Sequence, residues 1–586
     1  MIRIQEIIHK FEVGEGTWAI RAFVGLLLIV ALGGWYDMTE YRNFHAPEAM
    51  EAAALARNIA KGEGFRTRCI RPFSIYLVGE QGLKEKKDTR LSRMPHPDIA
   101  TPPVYPLVLA GLMKVLPFDY QIGPRFWYYQ PELIIAIFNQ VLFLLTIWLT
   151  YRIGSRLFDR EVGAVAALLL AGAEIMWRFS VSGLSTNLVM LEFTALMGLL
   201  VTLEHAAREG QKTTGWYVRV AILTGILIGF GTLTRYSFGW LLVPVIGFSL
   251  LWIRPRGVIV AALILVAAAV VVTPWLARNY KLSGTLFGIP GYAIKMDTQA
   301  FPETRLERSL KPDLASAGFR DYFRKFCGNT CQILQDDLPR LGGGNWAATF
   351  FLAGVLLPFR NKWLGRLRAF VVGSLALMVV VQALGRTHLS TDSPMVNTEN
   401  LLVILTPGVF IFGAAFFFVI LEQMNLVLIE LRYLVVTLFV LLCSAPLIFT
   451  FLPPRTYPIV YPPYLPPWIQ ETSSMLKTNE LMMSDMPWAV AWYGDRECVW
   501  TPLDTSRSFY AIYDEQKPVA GLYLTPLTTD ARFLTEILQG PDREWSRFAV
   551  EVLFRTNVPP RFPLQHARKR YTPDQLFLSD RPRWQR

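Results

Sequence analysis

Runs of about twenty apolar residues recur along this chain, and a run of that length has few destinations. Crossing ~30 Å of hydrocarbon takes roughly 20 residues of helix, and a helix satisfies all of its own backbone hydrogen bonds there. The candidate spans are 18–36, 131–151, 162–179, 186–206, 218–235, 238–253, 257–275, 346–359, 369–385, 401–421 and 430–452. With 52% of its 586 residues hydrophobic, the chain reads as an all-α polytopic membrane protein of about eleven transmembrane helices.

One further apolar stretch, "TPPVYPLVLAGLMKVLP" (Thr101 to Pro117), is short and bounded by prolines. Charge decides how to treat it, because Lys and Arg collect in the cytoplasmic loops. If it does not cross and the N-terminus is cytoplasmic, then Arg152, Arg156 and Arg160, Arg208 and Lys212, Arg254 and Arg256, and Arg360, Lys362, Arg366 and Arg368 all fall inside. If it crosses, all fall outside, so 101–117 is read as a re-entrant or interfacial segment. The polar start, Met1 to Gly16, followed by an apolar run without a small-residue cleavage site, reads as a signal anchor. The formal charge of +12 sits in short loops, with no basic helix or aromatic RNA-binding motif. Topology and anionic lipid account for it, and nucleic acid is not an expected partner. The five cysteines, Cys69, Cys327, Cys331, Cys443 and Cys498, are too scattered for a disulfide framework or a zinc module.

The same parity places three large pieces on the outer side: 37–130, 276–345 and the tail from Pro453. A membrane domain over 1–452 and an extracytoplasmic domain over 453–586 are therefore expected. The tail opens with "LPPRTYPIVYPPYLPPWIQ", a proline-rich stretch expected not to be helical. Beyond it, "ELMMSD", "ECVWTPL" and "VAGLYLTPL" read as short buried strands around a helix starting near Pro487, a small α/β domain.

Just past the first span comes "HAPEAMEAAALARNIAKGEGF" (His45 to Phe65), a helix with clear ends. Pro47 suits its first turn, Glu48 and Glu51 lie near its positive N-terminus, and Gly62 with Gly64 ends it. The dipole alone explains acidic residues there. Spaced three apart, the two glutamates also share one helix face, which would hold a carboxylate on a rigid element at the outer membrane surface. Asp37, at the exit of the first span, is a third candidate.

An acidic residue, then "LARNIAKGEGF", then "PPVYP", resembles the first loop of the GT-C glycosyltransferases, polytopic enzymes that include aminoarabinose lipid A transferases and protein O-mannosyltransferases. "GILIGFGTLTRYSFGWLLVP" (Gly225 to Pro244) and "TPWLARNYKLSGTLFGIPGY" (Thr273 to Tyr292) are similar to the family's G-x-x-x-G-x-x-x-L-T-R and P-W-x-x-R-N-Y segments. "ENLLVILTPG" and "SDMPWAVAWYGDRECVW" are weaker matches. Members commonly open the loop helix with D-E-x-x-Y-x-x-x-A-R. Counting back from Ala56 and Arg57 sets Glu48 on the Asp, Ala49 on the second acid and Ala52 on the Tyr, so either Glu48 or Glu51 is left to serve.

The resemblance implies an inverting transfer of a sugar from a polyprenyl-phosphate donor to an extracytoplasmic lipid, protein or glycan acceptor. The setting it implies is a bacterial inner membrane, with the N-terminus cytoplasmic and the tail periplasmic. The chemistry needs a base for the acceptor hydroxyl, Glu48 or Glu51, and a cation for the leaving phosphate. Arg235 and Arg278 end apolar spans on the outer side, against the usual charge bias, with Arg57 and Lys281 as weaker candidates. No cofactor is required by any motif. A divalent metal stays open, although His45, His96 and His388 with Asp392 form no ligand pair at metal spacing. A transporter and a non-catalytic scaffold of the same fold are the competing readings. Glu192, inside an apolar block, is the residue that most favours a transport pathway.

Overall fold

The computed structural model describes residues 15–123, 126–344, 346–357, 361–424, 426, 428–453, 464–529, 542–555, 558–568 and 575–584. The start of the chain, Arg360 and most of the proline-rich stretch after Pro453 lie outside the described residues.

Over the described residues every predicted span is largely helical, but not every one is a single long helix. Among the described residues, seven helices are long and apolar enough to cross a membrane alone, Gln130–Leu157, Thr214–Thr234 and Gly257–Ser283 being three of them. A further apolar pair, Arg160–Ala171 and Glu174–Val181, passes the same test only when taken together and is bent by 56° at its break, as a broken span or a re-entrant loop is. Tyr236–Trp252 and Trp346–Val355 are shorter apolar helices, and the last predicted span is divided into Ile429–Cys443 and Ala445–Thr450. The proline-bounded segment is a 12-residue helix, Val104–Val115. At about 1.5 Å per residue it is too short to cross, and it packs instead on the first-loop helix, Pro47–Ala60.

The basic loops gather on one face. Arg366 pairs with Glu204 at 3.3 Å, the Arg208 guanidinium lies 4.9 Å from the Trp363 ring, Arg256 lies 4.8 Å from Tyr217, and Arg432 pairs with Glu161 at 2.8 Å. Helix Thr214–Thr234 runs from this face to the opposite one. It packs closely on Gly257–Ser283 through Gly225 and Gly229. A Cβ on Gly225 would stand 2.5 Å from the Ile264 carbonyl oxygen, and one on Gly229 2.7 Å from Val271. Small residues four apart let two membrane helices approach to backbone contact, and here the spacing fixes where the helix delivers its next residue, Arg235.

On the opposite face, the first loop and the tail assemble one six-stranded sheet, in the order β1-β3-β2-β4-β6-β5. The strands are β1 (Cys69–Ile70), β2 (Leu481–Ser484), β3 (Cys498–Trp500), β4 (Val519–Leu524), β5 (His566–Ala567) and β6 (Leu576–Ser579). The first four are parallel to one another, and β6 runs antiparallel to both β4 and β5. β2, β3 and β4 are buried along their whole length, which is why they read as continuous apolar runs rather than alternating ones. The edge strand β1 comes from the first loop, with Cys69 in register with Cys498. A two-residue strand carries no sequence signal of its own. One expectation is corrected: the end of the proline-rich stretch is helical, over Pro466–Ser474, because its prolines occupy the first turn, where no amide hydrogen is needed.

Candidate active site

Between the ends of the membrane helices and the sheet lies a cavity of about 1200 Å³. One end is an apolar slot walled by Ile228, Leu242, Leu265, Val272 and Val380. The other is a polar chamber that includes Glu48, Arg235, His388, Asp392 and Glu399. Such a shape suits a ligand with a hydrocarbon tail and a polar head.

The first-loop helix begins with Pro47 in its first turn and is followed by Gly62 and Gly64 at positive φ. Both glutamates reach the cavity wall, but their surroundings differ. Arg71 donates to both oxygens of Glu51, at 2.7 and 2.9 Å, and the Cys69 thiol adds a contact at 3.6 Å. The same guanidinium reaches Glu307 at 2.8 Å, so Glu51 is locked in a buried ion-pair network. Glu48 is half-buried and accepts one hydrogen bond, from the Thr398 hydroxyl at 2.6 Å. Its second oxygen has no recorded partner among the described residues, and a carboxylate with a free oxygen can still take a proton. Burial raises the carboxyls of Glu303, Asp392 and Glu399 above the usual range. Asp37 accepts from Gln140 at 2.5 Å and does not line the cavity.

Of the four cations, only Arg235 lines this space. Its Nη2 donates to Thr186 at 2.8 Å and Ser185 at 3.3 Å, while its Nε and Nη1 are buried with no hydrogen-bond partner among the described residues. Glu192 lies next to it, accepting from the Thr234 hydroxyl at 2.9 Å. Arg278 donates to the carbonyls of Asp98 and Phe65 and stacks 4.4 Å from Trp275. Lys281 is exposed, away from the cavity. Arg57 is 2% exposed and donates to the carbonyls of Ala491 and Trp492, with Asp495 at 2.8 Å. Its position gives it the task of docking the tail domain onto the first-loop helix.

Sequence reasoning did not single out Arg71, Glu307 or Thr398, which decide between the two glutamates. Nor did it place Trp488 and Trp500 on the cavity, although both stand in a segment noted for family resemblance. Among the described residues, no three His, Cys, Asp or Glu side chains come together as metal ligands. His96 is engaged with the Ser74 hydroxyl at 2.8 Å.

Residues 101–277 match the family model described as dolichyl-phosphate-mannose-protein mannosyltransferase. The matched segment holds the P-P-V-Y-P and G-x-x-x-G-x-x-x-L-T-R elements, begins after Glu48 and ends just before Arg278. No curated protein sequence matches the chain. Among solved structures, the Archaeoglobus fulgidus oligosaccharyltransferase tethered with an acceptor peptide superposes with a TM-score of 0.56 at 12% identity, over 92% of this chain and 72% of that one. Its complex with Zn and sulfate gives a TM-score of 0.51 at 10% identity, over 89% and 70%. ArnT from Cupriavidus metallidurans bound to undecaprenyl phosphate gives 0.41 at 11% identity, over 96% and 98%. At such identities the likeness is one of fold.

The bundle, the sheet and the cavity between them make a polytopic membrane fold like that of the Archaeoglobus fulgidus oligosaccharyltransferase. The chain's central segment is similar to the dolichyl-phosphate-mannose-protein mannosyltransferases.

Proposed function

We propose that this protein transfers a sugar from a polyprenyl-phosphate-linked donor to an acceptor hydroxyl on the exported side of a bacterial inner membrane. The observation that carries this reading is Arg235, a buried guanidinium whose Nε and Nη1 have no hydrogen-bond partner among the described residues, on the wall of a cavity that is apolar at one end and polar at the other. A buried charged donor left unpaired is costly. A phosphate whose lipid tail lies in the apolar slot would accept from both groups and leave with its charge balanced.

Glu48 then removes the acceptor proton as the anomeric carbon is attacked on the side opposite the phosphate. The transfer inverts configuration and needs no covalent glycosyl-enzyme. Glu51, held at both oxygens by Arg71, positions the helix instead. The described residues bring no three His, Cys, Asp or Glu side chains together for a divalent metal. The basic face of the bundle is cytoplasmic, and the tail is periplasmic.

The test is transfer of radiolabelled sugar from polyprenyl-phosphate donors in membranes with matched protein levels. Glu48→Gln and Arg235→Gln should each lower the rate by roughly 10²–10⁴-fold, the range for losing a general base or a charge-stabilising group. The product anomer, read by NMR, should be opposite to that of the donor. A wild type that moves no sugar from any donor tried would sink the reading, and a reporter at Arg366 found outside would reverse the orientation.

A further inference from the structure

The outer wall of the cavity is the carboxyl end of the parallel strands. From β2 the chain passes to β3 on one side, then returns past β2 to β4 on the other, so strand order reverses at β2. In open α/β sheets, that reversal opens a crevice at the carboxyl ends of the strands, where ligands bind. Here Asp485 follows β2, Trp500 ends β3 and Thr528 follows β4, and all three line the cavity.

We propose that this crevice binds a neutral pyranose, so that the acceptor hydroxyl belongs to a sugar. The assignment rests on the transfer reading above and adds the class of its acceptor. Trp488 and Trp500 both line the cavity, with ring centroids 5.2 Å apart and planes at 86°, and so form an aromatic corner. A pyranose has an apolar C–H face that packs on such a ring and a rim of hydroxyls that needs acceptors and donors. Asp485 supplies the acceptor. Its Oδ2 takes three bonds, from the Thr525 amide, the Thr525 hydroxyl and the Thr528 hydroxyl, while among the described residues its Oδ1 takes only a 3.3 Å contact from the Ser484 hydroxyl. The free lone pairs are suited to a hydroxyl donor.

Charge and topology discriminate against other acceptors. Arg308, the cation at this end, is occupied by Asp542 and by the Thr501 and Pro502 carbonyls. With Asp485 on the same crevice, no unpaired cation stands at this end among the described residues to meet a phosphate or carboxylate. A peptide bound as an added strand needs an open edge, yet β2, β3 and β4 are each paired on both sides. The corner is also linked to the candidate base. Trp488 donates to the Tyr464 hydroxyl at 2.9 Å, and the Tyr464 ring lies 6.3 Å from that of His45, at the start of the helix that carries Glu48.

The experiment is saturation-transfer NMR on the full chain in lipid nanodiscs, with neutral methyl glycosides of mannose, glucose and galactose. A phosphorylated hexose and a Ser/Thr-containing hexapeptide serve as the competing probes. At least one glycoside should receive saturation on its ring protons, and should keep it when undecaprenyl phosphate is saturating. The signal should fall roughly tenfold in Trp500→Leu, the order of an aromatic contact, and in Asp485→Asn. The milder Trp488→Phe keeps the test valid if Trp500→Leu fails to fold. Displacement of the glycoside by the lipid, a signal unchanged in the folded variants, or a response from the phosphosugar or peptide alone would overturn the assignment. Undecaprenyl phosphate binding in the same preparation separates the two readings. Lipid binding without any glycoside binding overturns only the acceptor, and loss of both overturns the transfer reading as well.

Discussion

The Thr398 hydroxyl donates to the Glu48 carboxylate at 2.6 Å, joining the first-loop helix to a segment 350 positions further along the chain. One oxygen is thereby held, and the other has no hydrogen-bond partner among the described residues. Thr398→Val should lower transfer about 10-fold with Glu48 still present, less than the loss in Glu48→Gln, because an orienting hydrogen bond contributes less than the base itself. Glu51→Gln should behave differently. It should cost thermal stability while leaving transfer per folded molecule within about tenfold of wild type, since it uncouples the buried Arg71 from one of its two carboxylates. Rates and melting temperatures measured on the same preparations check both statements.

Arg57 predicts a purely structural phenotype. Removing its guanidinium in Arg57→Met strips two buried carbonyls of their donor and Asp495 of one cation, while Lys61 and Arg68 remain beside that aspartate. The expected cost is on the order of 3 kcal/mol, seen as a lower melting temperature and faster proteolysis of the tail. Unchanged stability would show that the domain docks by other means.

Gly225→Val tests the helix spacing that sets Arg235. The added side chain meets the Ile264 carbonyl oxygen, and overpacking of this kind costs about 1–3 kcal/mol. Binding of undecaprenyl phosphate should weaken in the variant, whereas Gly247→Ala, on the neighbouring segment with open space around it, should bind as wild type does.

His96 gives the fold a pH dependence. Burial pushes its imidazole down to about 4, against about 6.5 in an unfolded chain. Between those values the unfolded state holds more protons, so stability rises with pH. The contribution is complete above about 6.5 and is lost as pH falls toward 4, reaching on the order of 3 kcal/mol. Melting temperatures in detergent at descending pH should drop through this window, and His96→Asn should flatten the drop.

Much of the local structure was legible from short-range pattern. The helix from Pro47 to Ala60, the strands in "ELMMSD", "ECVWTPL" and "VAGLYLTPL", and the short helix at Pro487 each carry their signal within a dozen residues. The helical part of the proline-rich stretch was not legible, because proline is a breaker in a helix interior and an initiator in its first turn. The site was half legible. Spacing put Glu48 and Glu51 on one face and charge bias singled out Arg235, yet Arg278 met the same criterion and is turned to backbone carbonyls instead.

By itself, the sequence determined what the solvent around each segment demands: apolar blocks that must be helices, basic loops that share one face, and capped outer elements that sit between them. Those requirements are local, because lipid and water act on each stretch separately. Only the tertiary structure decided which charges are spent and which are free. Glu51 meets Arg71 and Glu307, Arg57 meets the tail, β1 joins a sheet more than 400 positions away, and Trp488 and Trp500 close the cavity. A buried charge is settled by the partner that packing brings to it, and in this chain those partners come from distant loops.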